Sequence, residues 1–346
     1  MKLLLVLATI SLTIICWGVY GPVLHHGQEG FRSAPPAAAS ASAPQNITEM
    51  RNNALRAFIC VGLAYFGIAV LVPSSMLRMY GEKGAWTAGG SFWSLVAGAA
   101  GALGALGVIL AFRFGGQAVY VMPLVFGGAP VVNAILTIYM SRSVKQIGPL
   151  FLAGLIMVLM GGTTVLVSKP GDAQNFAAGL RQLPALATVL LCVTMVILGW
   201  GVYGPILHKG QLAMDSSRLR PLICVGLAYF AIAVVLAGLM LAASGEGGRW
   251  TVGGTLWSLA AGSAGAIGAL GIIMCFNFGG KPIYVMPLVF GGAPVVNTLV
   301  NAAEHGGLTS MSPFFFAGLI LTCAGAAIVL VFAPRGHAPA SPPAKV

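Results

Sequence analysis

Tyr120-Val-Met-Pro-Leu-Val-Phe-Gly-Gly-Ala-Pro-Val-Val-Asn133 recurs without a change as Tyr284–Asn297. The copying extends outward from this block. Trp17-Gly-Val-Tyr-Gly-Pro22 returns at 200–205, and Ile59-Cys-Val-Gly-Leu-Ala-Tyr-Phe66 returns at 223–230. Gly89-Gly-Ser-Phe-Trp-Ser-Leu95 returns as Gly253-Gly-Thr-Leu-Trp-Ser-Leu259. The period is too long for a solenoid, so the chain reads as one half written twice.

Composition decides the solvent. The 346 residues are 58% hydrophobic and 7% charged, with a mean hydropathy of +0.92. A soluble domain carries about a quarter of its residues charged, and this chain cannot coat a surface facing water. Apolar runs near the roughly 20 residues that cross a bilayer fall at 3–24, 56–79, 89–112, 119–140 and 148–168. Their counterparts fall at 186–207, 221–243, 253–276, 283–303 and 313–333. Hydrocarbon offers no partner for backbone polar groups, so each run should be a helix, and the alternation of a β-barrel is absent. The expected fold is an all-α integral membrane protein, with ten transmembrane helices in two inverted five-helix repeats. The first repeat is placed at 1–168 with an extra loop at 29–50, the linker at 169–185, the second repeat at 186–333 and a tail at 334–346. Lys2 before an apolar run has the look of a signal peptide, but the same Trp-Gly-Val-Tyr-Gly-Pro sits mid-chain at 200–205, which argues against cleavage.

Inversion follows from the odd count, because five crossings return the second copy from the opposite face. Many secondary transporters use that arrangement around a midplane site. Of the 18 Lys and Arg, seven (Arg32, Arg51, Arg56, Arg113, Lys169, Arg181, Arg249) fall opposite the N-terminus and the other eleven on its side. That bias puts both termini in the cytoplasm and the chain in the cytoplasmic membrane. The net charge of +11 is scattered over short loops. It reads as topology signal and headgroup contact with the lipid bilayer rather than nucleic-acid binding.

The blocks just quoted resemble the drug/metabolite transporter superfamily, EamA-like group. A Trp-Gly element late in the first helix, a Gly-rich third helix opening on Trp-Ser-Leu and a Pro/Gly-rich fourth helix carry the likeness over nearly the whole chain. Within it, the Trp-Ser-Leu, Phe-Gly-Gly and Met-Pro-Leu pattern is most like the glucose/ribose/rhamnose porter branch. The resemblance implies a solute carrier with helices 1–4 and 6–9 around a central cavity and helices 5 and 10 outside it.

Several residues are candidates for a site. Pro123, Gly127, Gly128 and Pro130 fall in one apolar span, and Pro287, Gly291, Gly292 and Pro294 repeat them. Proline removes a donor and crowds the carbonyl four residues back, so these spans are expected to kink or unwind, either around a site or as packing kinks. Asn133 and Asn297 follow one turn later and serve either a neighbouring helix or a hydroxylated solute. All six Trp pair between the copies, as do six of the eight Tyr, among them Tyr20/Tyr203 and Tyr65/Tyr229. Trp17, Tyr20, Trp200 and Tyr203, before a Gly-Pro expected near a helix end, read as belt or gate. Trp93 and Trp257 lie a turn inside and are cavity candidates, whereas Trp86 and Trp250 suit an interfacial belt. The glycines of helices 3 and 8 (Gly98, Gly101, Gly104, Gly107; Gly262, Gly265, Gly268, Gly271) read as a packing seam.

The seven acids (Glu29, Glu49, Glu82, Asp172, Asp215, Glu246, Glu304) fall in loops or at helix ends. No carboxylate lies deep in a span to carry a proton or a cation, so a neutral solute fits better than a cationic drug. His25 and His208, at equivalent positions, are the candidates for coupling to H+ or Na+; Arg56 and Arg220 either snorkel or contact an anion. The six cysteines lack metal-ligand spacing, and no nucleotide-binding or hydrolase motif occurs. No cofactor, metal or enzymatic activity is expected. The functional expectation is a non-ATP secondary transporter of a small neutral solute such as a sugar, with carriage of an amino acid, nucleotide-sugar or other metabolite as the alternative, and a sensor or scaffold behind it.

Overall fold

The computed structural model describes residues 2–32, 47–168, 176–244, 248–280, 282–304, 307 and 311–334. Among these it has ten helices long and apolar enough to cross a membrane: Lys2–Gly30 (α1), Glu49–Tyr80 (α2), Ala88–Arg113 (α3), Ala118–Met140 (α4), Pro149–Val167 (α5), Ala185–Ala213 (α6), Leu219–Ala243 (α7), Val252–Cys275 (α8), Val285–Glu304 (α9) and Pro313–Phe332 (α10). The described residues contain no strand. Leucines, isoleucines and valines stand exposed along most of these helices, as the hydrocarbon face of a multi-pass all-α membrane protein requires.

Most expected spans are met within a few residues. The departures are at polar ends, where hydropathy falls before the helix does. α1 runs on to Gly30, so Gly21-Pro22 lies well inside it rather than near its end. The helix of α6 starts at Phe176, inside the expected linker, and the helix of α2 begins at Ile47, inside the expected loop. Residues 33–46 of the extra loop, the acids Asp172 and Glu246, and the tail beyond Pro334 lie outside the described residues.

The two copies interdigitate. α1 packs mainly on α8 and α9, and α6 in the same way on α3 and α4. α2 meets α8 and α7, α7 meets α3 and α2, and α5 pairs with α10. Two equivalent pairs, α2 with α7 and α5 with α10, run antiparallel where they meet. Gly62 of α2 faces Ala233 of α7 while Gly226 faces Ala69, and Gly154 of α5 faces Val329 of α10 while Gly161 faces Thr322.

The glycine seams fix these contacts. A Cβ on Gly104 would fall on the Trp200 indole and one on Gly268 on the Trp17 indole; Gly98 and Gly262 abut the backbones of Val225 and Val61. The Trp17 indole N–H donates to the Gly265 carbonyl at 3.2 Å, and Trp200 donates to the Gly101 carbonyl at 3.2 Å. Small residues admit a backbone or a ring that any side chain would hold off.

The unwinding expected of α4 and α9 is not seen. Both are continuous α-helices, α4 through Pro123 and Pro130, α9 through Pro287 and Pro294. A proline forfeits one hydrogen bond, which a long membrane helix tolerates when neighbours cover the freed carbonyl. The glycines beside them serve packing: Gly127 faces Thr322, Gly128 faces Ile197 and Gly292 faces Ile14, while Gly291 faces open space. The irregular backbone lies elsewhere. α2 is π-helical at Phe66–Leu71, and α7 at the matching Phe230–Leu236. Pro73 follows the first of these and removes a donor from the ladder, but Ala237 stands at its counterpart, so proline does not explain both.

Loops tie the ends. The Thr87 hydroxyl accepts from the Gly90 amide at 3.0 Å, capping α3, and donates to the Ala213 carbonyl at the end of α6 at 2.7 Å. Thr251 repeats this on α8, accepting from Gly254 and donating to the Gly30 carbonyl at the end of α1. Glu82 seals the start of α7: its carboxylate accepts from the Arg218 amide at 2.8 Å and the Ser217 hydroxyl at 2.6 Å, with Arg220 at 3.6 Å. Arg56, the counterpart of Arg220, donates to the Gly248 carbonyl at 3.0 Å. Both arginines clamp loop carbonyls across the halves.

Two stability predictions follow from these contacts. Gly104→Ala should cost about 1–3 kcal/mol by overpacking against Trp200 and lower the midpoint of thermal unfolding in detergent, whereas Gly291→Ala should cause no loss. Equal midpoints for the two variants would sink the seam assignment. Glu82→Gln removes a capping anion and should cost about 0.5–2 kcal/mol; a double-mutant cycle with Arg220→Gln should show the two losses to be less than additive.

Candidate functional site

The rings that the two copies share converge between the halves. Trp17 and Tyr20 lie three residues apart on α1, one above the other, and Trp200 and Tyr203 do the same on α6. Trp17 packs on Phe290 of α9 with ring centroids 6.0 Å apart, Trp200 on Phe126 of α4 at 6.4 Å, and Tyr20 on Trp200 at 6.0 Å. The bonds to Gly265 and Gly101 hold both indoles as fixed walls.

Three pairs of equivalent residues meet each other in this region. Phe126 and Phe290 stand edge to face at 6.1 Å, and Phe66 and Phe230 tilt at 4.7 Å. Tyr65 and Tyr229 stack with centroids 3.9 Å apart and planes 3° from parallel. Residues that contact their own duplicates lie on the line relating the two copies, so this line runs through the aromatic cluster. Tyr20 and Tyr229 are buried, and Tyr65 and Tyr203 half-buried. The Tyr65 hydroxyl borders Gly265 and the Tyr229 hydroxyl borders Gly101, which the Tyr203 ring also borders. Among the described residues, these ring contacts involve only tyrosine, tryptophan and phenylalanine. The chemistry on offer is therefore flat apolar faces edged by four phenols.

Of the residues singled out from sequence, Trp17, Tyr20, Tyr65, Trp200, Tyr203 and Tyr229 come together. The other four ring and amide candidates take no part in these ring contacts. The Lys209 ammonium lies 3.6 Å over the Trp93 ring. Trp257 is half-exposed, its ring 5.5 Å from that of His26. Asn297 is fully buried and donates to the Ala118 carbonyl at 2.9 Å, tying α9 to the start of α4. Its side-chain oxygen lies against Gly21, and Asn133 lies against Gly204, the equivalent glycine. Those contacts give both glycines of Tyr-Gly-Pro a packing reason.

His25 and His208 are not partners. His25 lies 3.5 Å from Glu29 and packs on Phe112, and His208 is exposed near the end of α6. Their immediate neighbours make the contacts between halves. His26 lies 3.0 Å from Glu304 of α9 and beside Trp257, while Lys209, its duplicate, covers Trp93, the duplicate of Trp257. Sequence reading missed Phe66, Phe126, Phe230 and Phe290 as well. The signal for these was present, since all four sit inside the duplicated blocks.

No known protein family and no curated protein matches the sequence. Six chains of solved structures are similar. One, known only as "Crystal structure of protein", superposes with a TM-score of 0.54 over 94% of this chain and 96% of its own, at 17% identity. At that identity the likeness speaks for the fold alone.

The mirrored indole bonds make a symmetric prediction. Trp17→Phe and Trp200→Phe should each lower stability by about 0.6–2 kcal/mol, by similar amounts in the same detergent. A loss confined to one of them would show that the two seams carry unequal weight.

Proposed function

We propose that this chain is a secondary carrier of a small neutral solute, sugar-like in character, that moves between two inverted five-helix repeats. The observation that carries the reading is the meeting of Tyr65 with Tyr229, Phe66 with Phe230 and Phe126 with Phe290 between the halves. A carrier built of two opposed copies needs its solute site where the copies face each other, and the polar and aromatic side chains collect there. The antiparallel course of these two equivalent helix pairs, α2 with α7 and α5 with α10, supports the inversion, and the charge bias supports cytoplasmic termini. Likeness to the drug/metabolite transporters, and to their sugar-porter branch, points the same way. Buried rings with phenol groups suit a hydroxylated solute better than an ion, since this cluster offers no carboxylate partner to a cation.

The test is uptake by the purified protein in proteoliposomes. Labelled D-glucose, D-ribose and L-rhamnose should enter saturably and show counterflow against preloaded cold sugar, and proton or sodium gradients applied in turn identify any coupling. An amino acid carried in place of the sugars would move the reading to another solute class. Retention of every solute at the rate of empty liposomes would defeat it.

A further inference from the structure

The stack of Tyr65 on Tyr229 says what shape of solute this site takes. The two residues are duplicates of each other, one from each copy, and they meet face to face at 3.9 Å and 3°. Free aromatic pairs favour offset or edge-to-face arrangements with centroids about 4.5–7 Å apart; this pair is closer and nearly parallel. Each phenol thus offers its twin a flat ring face and carries a hydroxyl at its rim, against Gly265 for Tyr65 and Gly101 for Tyr229. Each tyrosine occupies the place that its twin would present to a ligand. The side chain filling that place is itself a six-membered ring with a hydroxyl on its rim.

The surroundings separate the fixed parts from those that can yield. Trp17 and Trp200 are bonded to glycine carbonyls and form walls. Gly265 and Gly101 border the edges of Tyr65 and Tyr229, leaving no side chain between ring and helix backbone. Immediately after each stacked tyrosine the helix turns π-helical, at Phe66–Leu71 and Phe230–Leu236. Such segments sit often at functional sites, and their looser ladder lets a helix shift without melting. The irregular backbone therefore adjoins the two rings that must part if anything is to lie between them.

We propose, resting on the carrier reading above, that Tyr65 and Tyr229 form a clamp that closes on itself when empty. It opens to sandwich one uncharged ring carrying hydroxyl groups at its edge, with Tyr20 and Tyr203 supplying further hydroxyl partners. A pyranose carries its hydroxyls on the ring itself and a nucleoside on the ribose beside its stacking base, whereas an open-chain polyol with as many hydroxyls lacks a ring face.

Equilibrium binding to the purified full-length protein in detergent tests the clamp without requiring transport. The probes are labelled D-glucose and labelled uridine, each competed by unlabelled D-mannitol. At least one ring should bind, mannitol should not displace it, and the arm that binds identifies the source of the ring. Tyr65→Leu and Tyr229→Leu should each weaken binding tenfold or more, and Tyr65→Phe, which keeps the face and loses the hydroxyl, should weaken it less than Tyr65→Leu. Monodisperse elution and a wild-type unfolding midpoint qualify each variant, and Tyr229→Phe replaces any leucine variant that fails them. Equal competition by mannitol, wild-type affinity in the leucine variants or failure of both rings to bind would overturn the clamp. Counterflow separates the two ideas. A ring bound but never carried supports the clamp and refutes the carrier; a sugar carried with unchanged affinity by the leucine variants does the reverse.

Discussion

Hydrocarbon gives apolar helices no reason to touch, because a lipid tail is as good a neighbour as a leucine. The helices of this chain touch because glycine lets them approach closely enough for dispersion and backbone–indole bonds to favour contact. The same device recurs at each major seam. Helix α3 receives Trp200 over Gly104, α8 receives Trp17 over Gly268, and α5 and α10 meet where Gly154 and Gly161 oppose Gly325 and Gly318. Position follows from this constraint. The indoles are set by the glycines, the phenylalanines of α4 and α9 pack on the indoles, and the tyrosine stack closes the space that remains.

Much of this was legible in the sequence, for a physical reason. Spans follow from hydropathy because every backbone group in lipid must be bonded within its own helix, and the duplication marked which rings recur. What it could not mark was which recurring rings meet. Trp17 and Trp93 are both duplicated and both lie inside a helix, yet one faces the centre and the other lies under Lys209. Only the partner helix distinguishes them, and that is a fact of packing. The prolines misled for a related reason. They report a missing donor but not whether the helix runs on past it, and α4 and α9 both do. The π-helical segment at 230–236 left no local mark at all, with Ala237 standing where the first copy has Pro73.

Interdigitation has an energetic consequence. α1 finds its main partners in α8 and α9, and α6 finds its own in α3 and α4, so neither copy encloses a core by itself. The interface between copies is also the interior of the protein. The middle of that interface is apolar and ring-filled. Its ends are held by a few polar contacts such as Thr87 to Ala213, Thr251 to Gly30 and Arg220 to Glu82, and polar contacts of this kind contribute on the order of 1 kcal/mol each. A relative movement of the halves that parted one end would break few such contacts and leave the central seams packed.

The duplicated block at 120–133 has kept every residue, whereas the ends of neighbouring helices have drifted apart. Lys209 covers Trp93 at one end, and His26, with Glu304 beside it, faces Trp257 at the equivalent place. If the copies are inverted as proposed, the two patterns have one explanation. A peptide in mid-membrane meets hydrocarbon and its own twin whichever way it runs, so the demands on it are the same in both copies. The end of a helix emerges on opposite faces in the two copies and meets different water, different headgroups and a different pH. Selection on the middle is then symmetric and selection on the ends is not. The rings at the centre stay paired, and the groups at the helix ends diverge.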